Sequence, residues 1–270
     1  MAKVDKSQYT KSEWHALRQQ RRQSKKQPKT VESIPTNQEY NIVCVKQGTK
    51  YSANYVNVLR KMVERNTTLQ HNFVCLTDDP VGLESDIYVK TLPYELKGWW
   101  AKPYVFSDEL GLSGVILYLD LDVVIAGSLD KLLIYKPDYW VIVRDFTRVF
   151  RHSCEKYNSS VIRFNSGQLD HLWRDFEQNR RLYERKYWGD QDWLYAVANL
   201  PAKLWPDAWI KSWKWEIRKS RQFAPGGKRG NRKFRDTETV VPSSECSIAV
   251  FHGDPNPELV DDPWVVKNWQ

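Results

Sequence analysis

The sequence predicts an α/β domain built on a largely parallel sheet, and three observations carry that prediction. From residue 40 onward, short β-rich apolar runs alternate with segments of helical period. The run GVILYLDLDVVI (114–125) is apolar on both faces, as a central parallel strand requires. Polar and acidic residues gather where the runs end. A chain of 270 residues can bury the core that such a domain needs.

Taken in order, NIVCVKQ (41–47) is the first strand. Val56, Leu59, Met62 and Val63 then fall at helical spacing, with Ser52 as a candidate N-cap. HNFVCLTDD (71–79) and DIYVKTL (86–92) are the next strands. A helix is expected through AKPYVFSDELGL (101–112), with Pro103 in its first turn. After the 114–125 strand come YWVIVRDFT (139–147) and SSVIRFNSG (159–167). A helix over 168–188 uses Leu169, Leu172, Trp173 and Phe176, another covers 190–200, and SIAVFHG (247–253) is the closing strand. The basic, glycine-rich stretch 223–242 has no period and reads as a mobile surface loop. No repeat and no linker divides residues 40–270, which read as one domain.

Residues 1–39 read as a flexible, basic extension. Residues 1–30 carry nine Lys/Arg against two acids, nearly the whole net charge of +8. The rest is close to neutral, which argues against a nucleic-acid-binding surface on the fold and leaves an anionic membrane surface as a partner for residues 1–30. Cys44, Cys75, Cys154 and Cys246 are far apart with no CxxC pair, so a zinc site is not expected. There is no run of ~20 apolar residues and no apolar segment of the secretory type near the N-terminus. These features together predict a cytoplasmic protein, free or attached at a membrane surface.

The stretch YLDLDVVI (118–125) raises the question of chemistry. Burying one ionised Asp is costly, and a second like charge beside it costs more. Side chains two apart on a strand share a face, so Asp120 and Asp122 project together, and open α/β sheets bind ligands beyond the carboxyl ends of their strands. A divalent cation that cancels their repulsion accounts for the pair; turn capping or pairing with surface Lys or Arg is the structural alternative. Three more clusters stand near element ends: FHGDPNP (251–257) with His252 and Gly253, FNSG (164–167) with Asn165 and Ser166, and WGDQDWLY (188–195) with Asp190, Gln191 and Asp192. A helix cap accounts for Asp190 alone, not for the cluster.

In this order, the set resembles the metal-dependent GT-A glycosyltransferases, and most closely the family-8-like retaining enzymes. The resemblance covers about residues 41–253 and rests on NIVCVKQGTKY, WWAKPYVF, YLDLDVV, FNSG, GDQD and the closing HG-x-P-x-P. It implies a GT-A fold that transfers a hexose from a nucleotide-diphosphate sugar, most often a UDP-sugar, to a glycan or other acceptor with retention. It implies that Asp120, Asp122 and His252 ligate Mn²⁺, with Mg²⁺ as the second candidate, and that Asp190 and Gln191 are the catalytic groups near the anomeric carbon. Lys102 would face the donor and Asn165 the transferred sugar. Thr77, Asp78 and Gly253 would contact the nucleotide. The closing motif departs from the family at Asn256, where a Lys is common; Lys211 or Lys214 is a candidate to supply that charge.

Two rivals stand beside this reading. DLDVV also matches the start of haloacid-dehalogenase-like phosphatases, although that motif ends the first strand of its domain and here three strands precede it. A non-catalytic glycan- or nucleic-acid-binding protein would use the basic tail and the 13 Trp and 14 Tyr residues.

Overall fold

In the computed structural model, residues 40–198, 201–219 and 241–270 are described. The extension expected at 1–39 and nearly all of the loop expected at 223–242 lie outside them. β1 (Tyr40–Lys46) and β2 (His71–Thr77) are buried over most of their length, so each needs cover on both faces. They pair in parallel, Cys44 opposite Cys75. β3 (Tyr88–Thr91), β4 (Val115–Leu119), β6 (Val141–Arg144), β7 (Tyr157–Asn165) and β8 (Lys203–Leu204) complete a seven-stranded sheet of order β3-β2-β1-β4-β7-β6-β8. Only β7 runs against its neighbours, β4 and β6. The sheet is therefore mixed and mainly parallel, as expected.

Alternate residues of the strands feed two cores. Ile42, Cys44, Leu117 and Leu119 pack on one face with α1 (Ala53–Asn66), while Val43, Ile116 and Tyr118 pack on the other with α3 (Asp170–Lys186). α1 buries Val56, Leu59, Met62 and Val63, the residues its period marks, but the Ser52 side chain makes no capping bond. α3 buries Leu172, Trp173 and Phe176. α2 (Asp130–Leu133), α4 (Asp190–Val197) and α5 (Pro263–Asn268) are shorter.

Two elements differ from expectation, each for a local reason. The helix expected over 101–112 is two 3₁₀ segments, Gly98–Phe106 and Asp108–Leu110. Pro103 lies inside the first, where it removes a backbone donor and disfavours α geometry at the preceding residue. The strand expected over 114–125 is two strands in different sheets. β4 ends at Leu119, the Asp120 amide donates to the Ser160 carbonyl, and β5 (Val123–Ile125) joins a three-stranded sheet with β10 (Ile248–Val250) and β9 (Ile210–Ser212). The two aspartates occupy the crossing between the sheets.

Leu117 is fully buried on the central strand β4. Leu117→Ala should destabilise the protein by about 2–5 kcal/mol, read as a lower urea midpoint at unchanged slope.

Candidate active site

The crossing opens into a cleft of ≈510 Å³ beyond the carboxyl ends of β1 and β4. Lys50 and Tyr51 enter from the β1–α1 loop, Trp99 and Lys102 from the first 3₁₀ segment, and Asp120 and Asp122 from the crossing. Asn158 and Ser159 come from the start of β7, Asp190 and Gln191 from the start of α4, and His252 and Gly253 from the turn after β10. A larger groove of ≈760 Å³ between α3 and residues 93–96 sets Arg180, Arg181, Arg185 and Lys186 beside only two acids, Glu95 and Glu177.

The cleft is organised around Lys102, whose side chain is only 11% exposed. Its ammonium lies 2.9 Å from Asp120 Oδ1, 3.2 Å from Asp190 Oδ2 and 2.9 Å from Ser159 Oγ. Burial alone would push this ammonium toward its neutral form, but Asp120 and Asp190 outweigh burial and raise its pKa. Ser159 donates to Asp190 Oδ2 at 2.5 Å, and Tyr118 donates to Asp120 Oδ1 at 2.6 Å. Tyr51 donates to Asp122 Oδ2 at 2.9 Å. One lysine thus serves two of the three acids, the half-buried Asp120 and the buried Asp190. The third, Asp122, has its carboxyl pushed up to about 6, first by burial and then by the charge of Asp120, against the opposing pull of Tyr51, Lys50 and Lys102.

The acid pair fits a divalent cation. Asp120 uses Oδ1 and Asp122 uses Oδ2 for these contacts, so each keeps its other oxygen unengaged among the described residues. His252 does not join them as a ready third ligand. Its Nε2 lies 2.8 Å from Ser212 Oγ, and its ring stacks on Phe146 and meets Trp215 edge-on. Burial, then the cations Lys214 and Arg148, push the imidazole down to about 3, so it is neutral at ordinary pH. Among the described residues, no group of three His, Cys, Asp or Glu side chains converges to hold an ion alone.

The remaining expected residues divide. Gly253 lines the cleft at a φ of 71°, a conformation that favours glycine. Gln191 Oε1 accepts from Asn158 Nδ2 at 3.4 Å. Asp78 accepts from the Gly48 amide at 3.0 Å and from Gln47, so it braces the β1–α1 loop. Thr77 is buried at the end of β2 against the backbone of Asp79 and does not line the cleft. Asn165 is placed elsewhere. It pairs with Val115, at the opposite end of β4 from Asp120, roughly 16 Å away along the strand. There it donates to the Pro137 carbonyl. Because β7 is antiparallel to β4, the polar residues that reach the cleft are Asn158, Ser159 and Ser160 at its start. The sequence did hold a signal for them: YNSS (157–160) begins with the same aromatic-Asn-Ser pattern as FNSG. Tyr51, Tyr118 and Trp99 were also missed, since an aromatic beside an apolar run reads as core.

Of the two lysines named as candidates to supply charge in place of Asn256, Lys211 pairs with Glu216 at 3.8 Å. The Lys214 ammonium instead lies 3.4 Å from the point a Cβ on Gly253 would occupy.

No protein-family profile matches the sequence, and none of the curated proteins does. Solved structures do match. The galactosyltransferase LgtC, solved with donor and acceptor sugar analogs, is 15% identical with a TM-score of 0.54, over 82% of this chain and 90% of that one. The glycosyltransferase GlyE of Streptococcus pneumoniae TIGR4 is 14% identical with a TM-score of 0.58, over 81% of this chain and 56% of GlyE. The bifunctional glycosyltransferase WbbM is 12% identical with a TM-score of 0.57, over 88% of this chain and 52% of WbbM. This chain has the GT-A fold. Its sheet is mainly parallel, with the strand direction switched at β7.

Asn165→Ala should cost about 1 kcal/mol of stability through the lost bond to Pro137 and leave nucleotide affinity unchanged by calorimetry. A loss of nucleotide affinity would return Asn165 to the site.

Proposed function

We propose that this chain is a metal-dependent glycosyltransferase that moves a hexose from a nucleotide-diphosphate sugar to a glycan or other acceptor, with retention. A UDP-sugar is the first candidate donor. The observation that carries this reading is the Lys102 ammonium, tied between Asp120 and Asp190 inside the cleft of a GT-A fold. It links the candidate cation site to the candidate reaction centre.

Asp120 and Asp122 would hold the cation, Mn²⁺ or Mg²⁺, through their unengaged oxygens. When bound, the cation supplies Lewis-acid stabilisation of the departing diphosphate. Tyr51 and Tyr118 orient the two carboxylates by donating to Asp122 Oδ2 and Asp120 Oδ1. Asp190 is held by both Lys102 and Ser159, so its role is to stabilise positive charge at the anomeric carbon and not to attack it. Gln191, steadied by Asn158, stands beside it. One of the solved LgtC structures is an active-site mutant with Glu in place of Gln, which supports counting Gln191 among the reacting groups. With Asp190 in that stabilising role, a front-face displacement is the route to retention.

The exposed indoles of Trp99 and Trp188 suit stacking on a sugar ring, which supports a glycan acceptor. Four buried free thiols support a reducing, cytoplasmic location. No helix among the described residues is long and apolar enough to cross a membrane, and attachment to an anionic membrane surface would fall to residues 1–30.

In a thermal-shift assay, UDP should stabilise the protein only with Mn²⁺ present, and Asp122→Ala should erase the effect; stabilisation by UDP without metal would sink this reading. The effect should also be acid-sensitive. The Asp122 carboxyl titrates near 6, so protons compete with the cation below that pH. His252 stays neutral down to about 3 and adds nothing in this window. Mn²⁺ affinity, measured by calorimetry, should fall as pH drops from 7.5 through 6.

A further inference from the structure

Charge in the cleft does not close on the groups that pair with each other. Lys102 answers Asp120 and Asp190, yet two further ammonium groups stand beside the acids without an acid of their own. Among the described residues, neither Lys50 nor Lys214 has a carboxylate within salt-bridge distance. The Lys50 ammonium lies 4.6 Å above the ring of Tyr51, whose hydroxyl donates to Asp122. The Lys214 ammonium is half-buried, with one long contact of 3.4 Å to the Asp254 carbonyl. Burial lowers its pKa, and the charges of Asp254 and Asp122 only partly offset this.

Lys214 is also held in place by its surroundings. It belongs to a single π turn, Trp213–Ile217. Trp213 Nε1 anchors that turn to Asp262 Oδ2 at 2.9 Å, and the Trp215 amide donates to Ser212 Oγ at 3.1 Å. The ammonium then lies over Gly253, where a side chain would stand 3.4 Å from it. Gly253 lines the cleft, so the missing side chain leaves the charge next to the space a ligand would fill.

We propose that Lys214, with Lys50 as its weaker partner, forms a two-ammonium clamp for the diphosphate of a nucleoside diphosphate bound over Asp120 and Asp122. The clamp rests on the transferase reading and assigns its anion site. A cation at the acid pair cancels the charge of the pair and leaves the diphosphate's own two to three negative charges unmatched. Two ammoniums from separate elements, the β1–α1 loop and the π turn after β9, supply the match.

The test measures UDP and inorganic pyrophosphate binding to the full chain in Mn²⁺ by calorimetry. Lys214→Met should weaken both ligands by about tenfold or more, and Lys50→Met by a few-fold. Lys214→Arg should recover most of the affinity, and Lys211→Met should bind like the unsubstituted chain. Gly253→Ala, which fills the gap beside the ammonium, should weaken UDP as well. Circular dichroism of each variant checks that it folds. UDP affinity within twofold of the unsubstituted chain in Lys214→Met overturns the clamp, and if Asp122→Ala still abolishes binding, the transferase reading stands without it. UDP binding that survives Asp122→Ala overturns the transferase reading itself.

Discussion

One buried ammonium makes the cleft possible. Three aspartates face one cleft, two of them buried, and without compensation their repulsion would open it or neutralise them. Lys102 ties Asp120 to Asp190, and Ser159 and Tyr118 take up hydrogen-bonding positions on the same two carboxylates. The groups come from a 3₁₀ segment, the end of β4, the start of β7 and the start of α4, so one charge network joins four elements that are distant in sequence. Burial and then the charge of Asp120 make the Asp122 carboxyl hold a proton more readily than an ordinary aspartate.

The sheet architecture delivers these groups. β4 sits near the middle of the large sheet and β5 in the small one, so the chain must cross a gap between Leu119 and Val123. Asp120 and Asp122 line that gap, anchored through backbone bonds from Asp120 to Ser160 and from Phe251 to Asp122. The second bond brings the turn after β10, with His252 and Gly253, to the same place. A crossing strand is a poor site for packing and a good one for polar chemistry, because its backbone leaves one ladder before joining the next.

Much of this was legible in the sequence. The apolar runs that became β1, β2 and β4 stand out because buried parallel strands cannot hide their composition, and α1 and α3 follow their 3.6-residue period. The acidic pair and the Asp190–Gln191 cluster were visible as polar groups that local structure does not need. Asn165 was misleading. FNSG and YNSS are equivalent as strings, and only the antiparallel pairing of β7 with β4 decides which end of the strand reaches the cleft.

The sequence by itself determined the fold class, the apolar faces and the residue types able to carry charge at strand ends, since period and composition are local properties. The tertiary structure decided which of those charges meet: Lys102 with two acids, His252 with Ser212 instead of with the acids, and Lys214 over Gly253. Electrostatic partnership depends on distances of a few ångströms between residues as far apart in sequence as Lys102 and Asp190, and no local pattern encodes such a distance.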